Sequence, residues 1–503
     1  MGIVLNAINT AVEFTIGMRM PEGHLVFLVG LFSSLAGSYF FKHFINKPTV
    51  SRDFQLTFTC VYGLWLFCFC WGWNIIFPIC DVVLSYILLK VLPSKIAHKV
   101  VFVSALSFLS VCHIKNVVAK YTTSSITAYA ADFTGPVMIL TQKITSLAFG
   151  LHDGNTKSDD EMTPNQKQHV LRKMPSFLEY FAYMFNCFGI LAAPFIFYDD
   201  FMGLIDEGCN KESQNTPRPS SALAVISKVA AALIILALFL IGDENIRCDL
   251  IADDEFIATT SIFYRAVFIY ITLLIARAKY YGVWLLSDAT YNAAGLGFGG
   301  FTELGRPKWD KVSNIHIINI EFATGMKNYI DNWNIRTLMW IRYLAYERLD
   351  RNLATMGAFA LSAVWHGFLP GYYLMFFTCH IFLTVQRKFR RTVRPHFQHA
   401  QASRMLYDVF TFCATQLAIM YGVVPFVLLE WSTSIKFYRS VWFIGHIIGV
   451  GLLLIIPNTK STSKTSDADA TKPSQYSSVN RSEKLMTSQF ASHRNGHYDV
   501  RHR

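Results

Sequence analysis

The sequence predicts an all-α membrane protein that crosses the bilayer about ten to twelve times. The 503 residues are 52% hydrophobic and only 16% charged, and their mean hydropathy is positive. A soluble chain of this length would carry about a quarter charged residues. The charges fall in blocks, and the apolar runs between the blocks are long enough to span a membrane. We therefore predict one polytopic helical domain over residues 1–457.

The apolar stretches, taken in order, give the predicted membrane helices or half-helices. They lie near residues 25–41, 55–79, 81–93, 99–113, 134–150, 177–198, 221–241, 256–284, 353–369, 371–385, 406–429 and 440–456. Two of them could merge or re-enter the membrane, which is why the number of spans is a range. The first residues, "MGIVLNAINT", have neither a basic region nor a cleavage site. Insertion by the first helix itself is the simpler expectation.

Basic polar segments indicate how this domain is oriented. "QRKFRRTVRP" (386–395) follows an apolar run, and residues 458–503 form a tail rich in Ser, Thr, Lys and Arg. The tail has too few apolar residues to order itself, so we predict disorder. Two predicted spans separate the two segments, and both are basic, which places both in the cytosol.

The other compositional signals argue against two classes of function. The net charge of +11 is concentrated in loops beside membrane spans, and no basic soluble module with interleaved aromatics predicts nucleic-acid binding. The ten cysteines are scattered, mostly inside apolar runs, without a CxxC motif or a His/Cys cluster. They predict buried thiols rather than disulfides or a metal site.

Residues 285–352 differ from both the apolar runs and the polar loops. The glycine-rich "YNAAGLGFGGF" lacks the Gly-Lys-Ser/Thr ending of a phosphate loop, so a close-packed turn lining a cavity is predicted. The following "NIEFATGMKNYIDNWNIRTLMWIRYLAYERLD" mixes charges, amides and tryptophans at helical spacing. It is too polar for lipid and too aromatic for a solvated loop. A protein-lined cavity or the membrane interface suits it.

His366, in "SAVWHGFLPGYY", is the strongest candidate for chemistry. If residues 353–385 form one long helix, Pro370 removes the N–H that would bond the carbonyl of His366. The helix should break at the turn of the histidine, with Gly367 and Gly371 easing the bend. An imidazole beside a broken helix at membrane depth suggests a cavity. The structural alternative is a histidine bonded to a neighbouring helix.

The segment "DNWNIRT" supplies a second candidate. Asn332 and Asn334 flank Trp333, and alternate helix residues point about 200° apart, so at most one amide can face a cavity. Either asparagine could instead cap a helix N-terminus. His380 and His446 are the rival histidines, but each lies in an unbroken apolar run without an amide nearby, and we predict structural roles. Glu430 lies at a span end and is predicted to be interfacial.

A histidine and an asparagine together suit acyl transfer. A neutral imidazole, favoured by desolvation, can take a proton from a hydroxyl, and an amide can stabilise the oxyanion formed on an acyl carbonyl or hold the donor in line. No Ser or Cys lies in a nucleophile elbow, which favours direct transfer. A transporter or lipid scramblase is the non-enzymatic alternative, because broken helices also line transport paths. The first half of the chain offers no interrupted segment to match "HGFLPG".

The sequence resembles the membrane-bound O-acyltransferase family. The resemblance rests on "NWN", on "SAVWHGFLPGYY" with its histidine 32 residues after Asn334, and on residues 132–154, 172–205 and 308–337. These segments are most similar to the lysophospholipid acyltransferase branch, in particular to members acting on lysophosphatidylethanolamine and lysophosphatidylserine. The similarity covers most of residues 100–457.

The resemblance implies several properties. The family's catalytic histidine falls on His366 and its catalytic asparagine on Asn334, while Trp333 and Trp365 are expected to pack in the core. The family fold implies a multi-helix domain with a tunnel open to the cytosol, in the endoplasmic reticulum membrane. Acyl-CoA is implied as co-substrate and a lysophospholipid, with a free sn-2 hydroxyl, as acceptor, with no permanently bound cofactor and no metal. A sterol, a diacylglycerol or a protein is the alternative acceptor. Head group, acyl chain and oligomeric state are not predicted.

Overall fold

The computed structural model describes most of the chain. It covers residues 20–122, 132–209 and 219–457, together with residues 6, 7, 9, 10, 12–14 and 17. In this part of the chain the regular structure is helical, apart from one isolated bridge between Phe301 and Pro307. The predicted all-α class is confirmed. The tail predicted for residues 458–503 lies outside the described residues, and the domain boundary at residue 457 stays a prediction.

Residues 20–122 and 132–209 form eight α-helices. They are α1 (Glu22–Phe40), α2 (Arg52–Trp71), α3 (Ile76–Val91), α4 (Ser94–Thr122), α5 (Thr134–Thr156), α6 (Pro164–Gln168), α7 (Phe177–Phe185) and α8 (Tyr198–Cys209). A π-turn (Phe41–Ile45) extends α1, and 3-10 turns lie at Gly72–Ile75 and Asp159–Glu161. Local signals set the limits of α2: the Ser51 hydroxyl accepts from the Phe54 N–H, and Gly72 ends the helix at φ 58°.

The second half forms eleven helices within the described ranges. They are α9 (Ala222–Asn245), α10 (Asp254–Thr259), α11 (Ile262–Ala294), α12 (Ile317–Glu321), α13 (Met326–Asn332), α14 (Ile335–Ile341), α15 (Arg351–His366), α16 (Pro370–Val393), α17 (Gln401–Leu428), α18 (Trp431–Ser440) and α19 (Ile444–Ile455). A π-turn (Arg342–Tyr346) extends α14, and 3-10 turns lie at Cys248–Ala252 and Arg394–Phe397.

By length and apolar composition, fewer helices could each cross a membrane than the sequence predicts. Within the described residues five helical stretches are long and apolar enough, and α18 with α19, bent by 75°, makes a sixth if the pair is one span. The five are Glu22–Ile45, Arg52–Val91, Ser94–Thr122, Ala222–Asn245 and Gln401–Leu428. The other predicted stretches form helices that are shorter or less apolar than this.

The predicted span at residues 177–198 is wrong. Helix α7 stops at Phe185, and the following residues run to the start of α8 as a buried, non-helical segment. The Nζ atom of Lys143, fully buried in α5, donates to the carbonyls of Tyr183 and Met184 at 3.0 and 3.1 Å. Those last-turn carbonyls are therefore satisfied without a further helical turn. The segment joins the main core, and it is apolar because it is buried in protein.

The glycine-rich stretch after α11 is a tight turn, as predicted. Gly295 ends α11 at φ 96°, a left-handed conformation that favours glycine. Gly297 is required for a different reason: a Cβ there would lie 1.7 Å from the Asn292 carboxamide oxygen. Beyond this turn, α12, α13 and α14 are short helices; Asn332 is buried, and Trp333 and Asn334 are half-buried.

Candidate active site

The broken helix predicted at His366 is confirmed. Helix α15 ends at His366, Gly367 adopts φ 117°, and Pro370 opens α16 at its first position. The N–H of Gly367 donates to the carbonyls of Ala363 and Val364, both at 3.2 Å. Proline fits the first helical turn, where its missing N–H costs nothing, and glycine fits the positive φ. Residues next to His366 in sequence therefore determine this break.

The hydrogen bond of the imidazole fixes its tautomer. His366 Nδ1 lies 2.7 Å from the carbonyl oxygen of Ser362, one helical turn earlier. A carbonyl oxygen only accepts, so Nδ1 carries the proton and donates. In the neutral ring the lone pair is then on Nε2, the nitrogen on the opposite side. The local helix geometry thus prepares Nε2 to accept a proton.

Aromatic side chains from two helices surround this imidazole. Its ring centroid lies 5.9 Å from that of Tyr372 and 5.1 Å from that of Phe376, both in α16. The ring of Phe426, in α17, is 5.6 Å away. His366 is half-buried, with Nδ1 bonded to its own helix and its ring packed against these aromatic side chains. The ring therefore lies in an apolar environment that retains an opening.

Gly371 acts differently from the expectation. Its N–H donates to the Leu429 carbonyl at 2.8 Å, and a Cβ at this position would lie 2.0 Å from the Pro425 carbonyl oxygen. The prediction that Gly371 eases the bend is wrong, because the bend is made at Gly367. Gly371 instead permits α16 to start in backbone contact with the end of α17.

Asn334 lies in a turn between α13 and α14. It adopts the left-handed conformation (φ 49°, ψ 49°) at the N-cap position of α14, yet its side chain makes no cap hydrogen bond. Its Oδ1 accepts from Asn314 Nδ2 at 3.0 Å. The described residues provide no acceptor for its own Nδ2. The carboxamide is thus oriented by its oxygen and leaves its two N–H donors available.

Asn314 holds this turn through three hydrogen bonds, a role that the sequence reasoning missed. Besides the bond to the Asn334 side chain, its carbonyl accepts from the Ile335 N–H at 2.9 Å and its Oδ1 accepts from the Arg336 N–H at 3.0 Å. Asn314 is 2% exposed. A non-glycine residue in the left-handed region needs such support from its surroundings. Its position 20 residues before Asn334 gave no sequence signal of this contact.

Asn332, the neighbouring candidate, has a structural role. Its Oδ1 accepts from Asn319 Nδ2 at 3.0 Å, and its Nδ2 donates to the backbone carbonyl and the side-chain oxygen of Asn328. Neither asparagine caps a helix with its side chain, so the capping alternative is not observed. Trp333 packs among four aromatic rings, as expected of a core residue: Tyr280, Tyr281, Trp284 and Tyr329.

Helix α5 brings the two candidate segments together. Gln142 Nε2 donates to the Thr337 hydroxyl at 2.9 Å, one turn after Asn334, and the Trp365 indole N–H donates to the Met138 carbonyl at 3.0 Å. Met138 and Gln142 are one turn apart, about 6 Å along the helix. The rings of Trp340 and Trp365 also meet at 6.0 Å. No hydrogen bond joins His366 to Asn334 in the structure, but their segments are fixed to one face of α5.

Gln142 is a further polar group that sequence reasoning missed. Its Oε1 is buried and has no hydrogen-bond partner in the described part of the chain. The amide lies inside an apolar-rich helix, where an unpaired oxygen is costly. The sequence signal was "LTQKIT", with two strongly polar residues adjacent in a predicted span.

A buried ion cluster supports the segment beneath Asn334. Arg336 is 2% exposed, and its guanidinium donates to Asp200 at 3.0 Å and to the Phe195 carbonyl at 2.7 Å. Lys311 Nζ lies 3.1 Å from the other Asp200 oxygen. Burial alone raises the pKa of Asp200, but the attraction of Lys311 and Arg336 outweighs it and lowers that pKa to about 2. Asp200 is therefore ionised and anchors the start of α14.

The rival residues have structural partners, in agreement with their predicted roles. His446 lies 3.1 Å from the Thr378 hydroxyl and 2.5 Å from the Tyr421 hydroxyl. The ring of His380 packs against Phe359 at 5.5 Å. Glu430 forms an ion pair of 3.0 Å with Lys120 and is partly exposed. Among the described residues no group of three or more His, Cys, Asp or Glu side chains is arranged to hold a metal ion.

A cavity of about 680 Å³ lies among helices of the second half of the chain. Its walls come from α11, α13, α16, α17, α18 and α19, and they are mostly apolar, with Arg390 and Arg394 among the lining residues. Neither His366 nor Asn334 lines this cavity. The catalytic tunnel implied by the family resemblance therefore stays a prediction.

Comparison with known proteins identifies the family. The sequence model of the membrane-bound O-acyltransferase family matches residues 118–424, which include both candidates. The chain is 36% identical over 468 residues to membrane-bound glycerophospholipid O-acyltransferase 2 of Rattus norvegicus, covering 91% of this chain and 89% of that protein. It is 38% identical over 446 residues to lysophospholipid acyltransferase 6 of Drosophila melanogaster, covering 86% of this chain and 61% of that protein. It is 31% identical over 362 residues to a lysophospholipid acyltransferase of Schizosaccharomyces pombe, covering 69% and 70%. With more than half of its length matched, this chain is a multi-pass membrane acyltransferase and belongs to the membrane-bound O-acyltransferase family.

Proposed function

We propose that the protein transfers a fatty acyl chain from acyl-CoA to the free sn-2 hydroxyl of a lysophospholipid, as a step in phospholipid remodelling. The names of the similar proteins support the acceptor class. The observation that carries the chemistry is the hydrogen bond from His366 Nδ1 to the Ser362 carbonyl, which leaves Nε2 as a proton acceptor in an aromatic pocket. Ethanolamine, serine and choline head groups are the candidates.

In the proposed reaction His366 is the general base. Its Nε2 takes the proton of the sn-2 hydroxyl as that oxygen attacks the thioester carbonyl carbon. The carbonyl electron pair moves to oxygen, and a donor must stabilise the resulting charge. When the carbonyl re-forms, the C–S bond breaks, and the CoA sulfur leaves with the proton held by the imidazolium. The ring returns to its neutral form, so all atoms and charges balance.

Asn334 is the proposed donor to the oxyanion. Its Oδ1 is occupied by Asn314, so the Nδ2 hydrogens are the part of the carboxamide left for a ligand. A fixed N–H directed at developing charge needs no reorganisation during the reaction, which is the basis of its effect. The left-handed backbone of Asn334 is in keeping with this role, because strained residues held by their neighbours are concentrated at functional sites.

We further propose the endoplasmic reticulum membrane as the location, with the basic segment after α16 and the C-terminal tail in the cytosol. This orientation would let acyl-CoA reach the site from the cytosol, while the lysophospholipid arrives from the bilayer. No permanently bound cofactor is required by the proposed steps, because both reacting groups come from the substrates.

The test is an acyltransferase assay with purified protein across a matrix of labelled acyl-CoAs and acceptors. Thiol release and labelled product are expected with lysophospholipids, and neither with diacylglycerol or a sterol. His366→Ala should abolish transfer, and Asn334→Ala should lower kcat by about 100- to 1,000-fold, the usual effect of one lost oxyanion donor.

Asn332→Ala serves as the matched control, because its carboxamide bonds only to protein groups. It should retain its kcat per folded molecule. Transfer only to an acceptor of another class would overturn the proposed substrate. Loss of folded protein in parallel with activity in His366→Ala would assign the histidine a structural role.

A further inference from the structure

A second histidine contacts the backbone next to His366. His113 lies in α4, five residues before the part of the chain that matches the family model. Its Nε2 is 3.1 Å from the carbonyl oxygen of Trp365, 252 residues later, and both residues are buried. Because the carbonyl accepts, His113 Nε2 carries the hydrogen and donates it.

The carbonyl of Trp365 needs such a donor. Helices leave their last four carbonyls without partners in the helix, and α15 ends at His366. The N–H of Gly367 turns back to Ala363 and Val364. In a continuing helix the N–H of Leu369 would bond the Trp365 carbonyl, but Leu369 is extended, at φ −70° and ψ 133°. The N–H of His113 therefore supplies from another helix the hydrogen bond that a continuing helix would have made.

The same ring also covers the turn after His366. A Cβ on Gly367 would lie 3.0 Å from His113 Nδ1 and 3.1 Å from its Cγ, so the imidazole packs directly on the glycine. On the other side, the indole of Trp365 donates to the Met138 carbonyl of α5. The residues before and after His366 are thus held between α4 and α5.

We propose that His113 is a positioning residue for His366, acting through its Nε2–H bond to the Trp365 carbonyl. The proposal rests on the proposed role of His366 as general base. The bond fixes the last peptide units of α15, which set the direction of the His366 side chain and hence of its Nε2. His113 is needed as a hydrogen-bond donor at this point, and its basicity is not used.

This requirement gives a sharp set of substitutions. The amide nitrogen of glutamine reaches nearly as far as histidine Nε2, whereas that of asparagine is one methylene shorter. Methionine has the length of glutamine without a donor and suits an apolar helix, so it keeps the fold accessible. Steady-state kinetics with acyl-CoA and a lysophospholipid should be measured for His113→Gln, His113→Asn and His113→Met.

A displacement of a catalytic group by about 1 Å can cost about 100-fold in rate. We expect kcat to fall by about 10- to 100-fold in His113→Met and His113→Asn, and to stay within about threefold of wild type in His113→Gln. The KM values for both substrates should change by less than about twofold, because the altered bond is buried between α4 and α15 and is not proposed to contact either substrate. A change that only lowered the folded fraction would leave kcat per folded molecule unchanged in all three variants.

His446→Gln and His446→Met are the matched controls, because His446 is also bonded to side chains inside the helical domain, but its partners lie in α16 and α17 and not in α15. Size-exclusion chromatography and the thermal midpoint report the folded fraction of each variant. The proposal is overturned if His113→Gln and His113→Met have equal kcat per folded molecule. It is also overturned if the two His446 variants lose as much kcat as the corresponding His113 variants.

His366→Ala, measured in parallel, separates the two proposals. If it remains active, the proposed function of His366 fails, whatever the His113 variants show. If it is inactive while His113→Met has wild-type kcat, only the positioning role fails.

Discussion

Asn314→Asp should reverse the carboxamide of Asn334 and so remove the donor on which oxyanion stabilisation depends. Asn314 Nδ2 donates to Asn334 Oδ1 at 3.0 Å, and an aspartate has no hydrogen to give. A half-turn of the Asn334 amide would let its Nδ2 donate to the new carboxylate. Its oxygen would then face the substrate. The second bond of the residue, from the Arg336 N–H to Oδ1 at 3.0 Å, would be kept.

The expected loss of kcat for each substitution follows from the hydrogen bonds that it removes. Loss of one oxyanion donor costs about 100- to 1,000-fold in kcat, or about 2.7–4 kcal/mol. Asn314→Ala removes both side-chain bonds, worth about 1 kcal/mol each, without reversing the amide. The two lost bonds therefore weaken the support of the turn by at most about 2 kcal/mol. If all of this appeared in the activation free energy, kcat would fall by about 30-fold. The substitution closer in shape to asparagine should therefore be the more harmful one.

The assay is kcat for acyl transfer, normalised to folded protein from size-exclusion chromatography. Asn319→Asp is the control, because Asn319 Nδ2 donates to Asn332 Oδ1 at the same distance of 3.0 Å. It removes the donor to Asn332, whose own Nδ2 stays bonded to Asn328, and should leave kcat within about threefold because Asn332 has no proposed catalytic role. Activity of Asn314→Asp equal to or above that of Asn314→Ala would refute the orientation argument.

Two further predictions concern stability. Gly371→Ala would place a Cβ 2.0 Å from the Pro425 carbonyl and should cost at least about 1–3 kcal/mol, read as a lower thermal midpoint. Gly203→Ala, with open space around it, should be neutral or slightly stabilising, and equal effects would contradict the packing argument. Asp200→Asn should cost about 3–5 kcal/mol by leaving buried Arg336 without its carboxylate. In the folded protein the pKa of Asp200 is lowered to about 2, whereas in the unfolded chain it is about 3.9. The Asp200–Arg336 pair therefore contributes its full stabilisation above about pH 3.9, and this stabilisation is lost as the pH falls toward 2. The thermal midpoint of Asp200→Asn should therefore lie below that of wild type by the same amount at pH 7 and at pH 5. A difference that has disappeared at pH 5 would contradict this.

Residues close to His366 in sequence were sufficient to predict the break in its helix. Pro370 removes a donor and Gly367 allows a positive φ, and both are properties of the residues themselves. The hydrogen bond from Nδ1 to Ser362 is also local, one turn back on the same helix. The family resemblance, carried by short motifs, added Asn334 as the second candidate.

Contacts between distant segments decided the rest. The sequence could not choose between Asn332 and Asn334 by physics alone, because the choice depends on Asn319 and Asn314, which lie outside the motif. The helix predicted over residues 177–198 stops at Phe185, where Lys143, from another segment, donates to the last-turn carbonyls.

The sequence by itself determined the helical class, the membrane character and the site of the helix break, since each follows from composition or from neighbouring residues. Only the tertiary structure decided which atoms of the candidate site are bound and which are free. His113 reaches Trp365 across 252 residues, and nothing in the local pattern of either segment indicates the other. The physical reason is that backbone preferences depend on adjacent residues, whereas the partner of a buried donor depends on how helices pack.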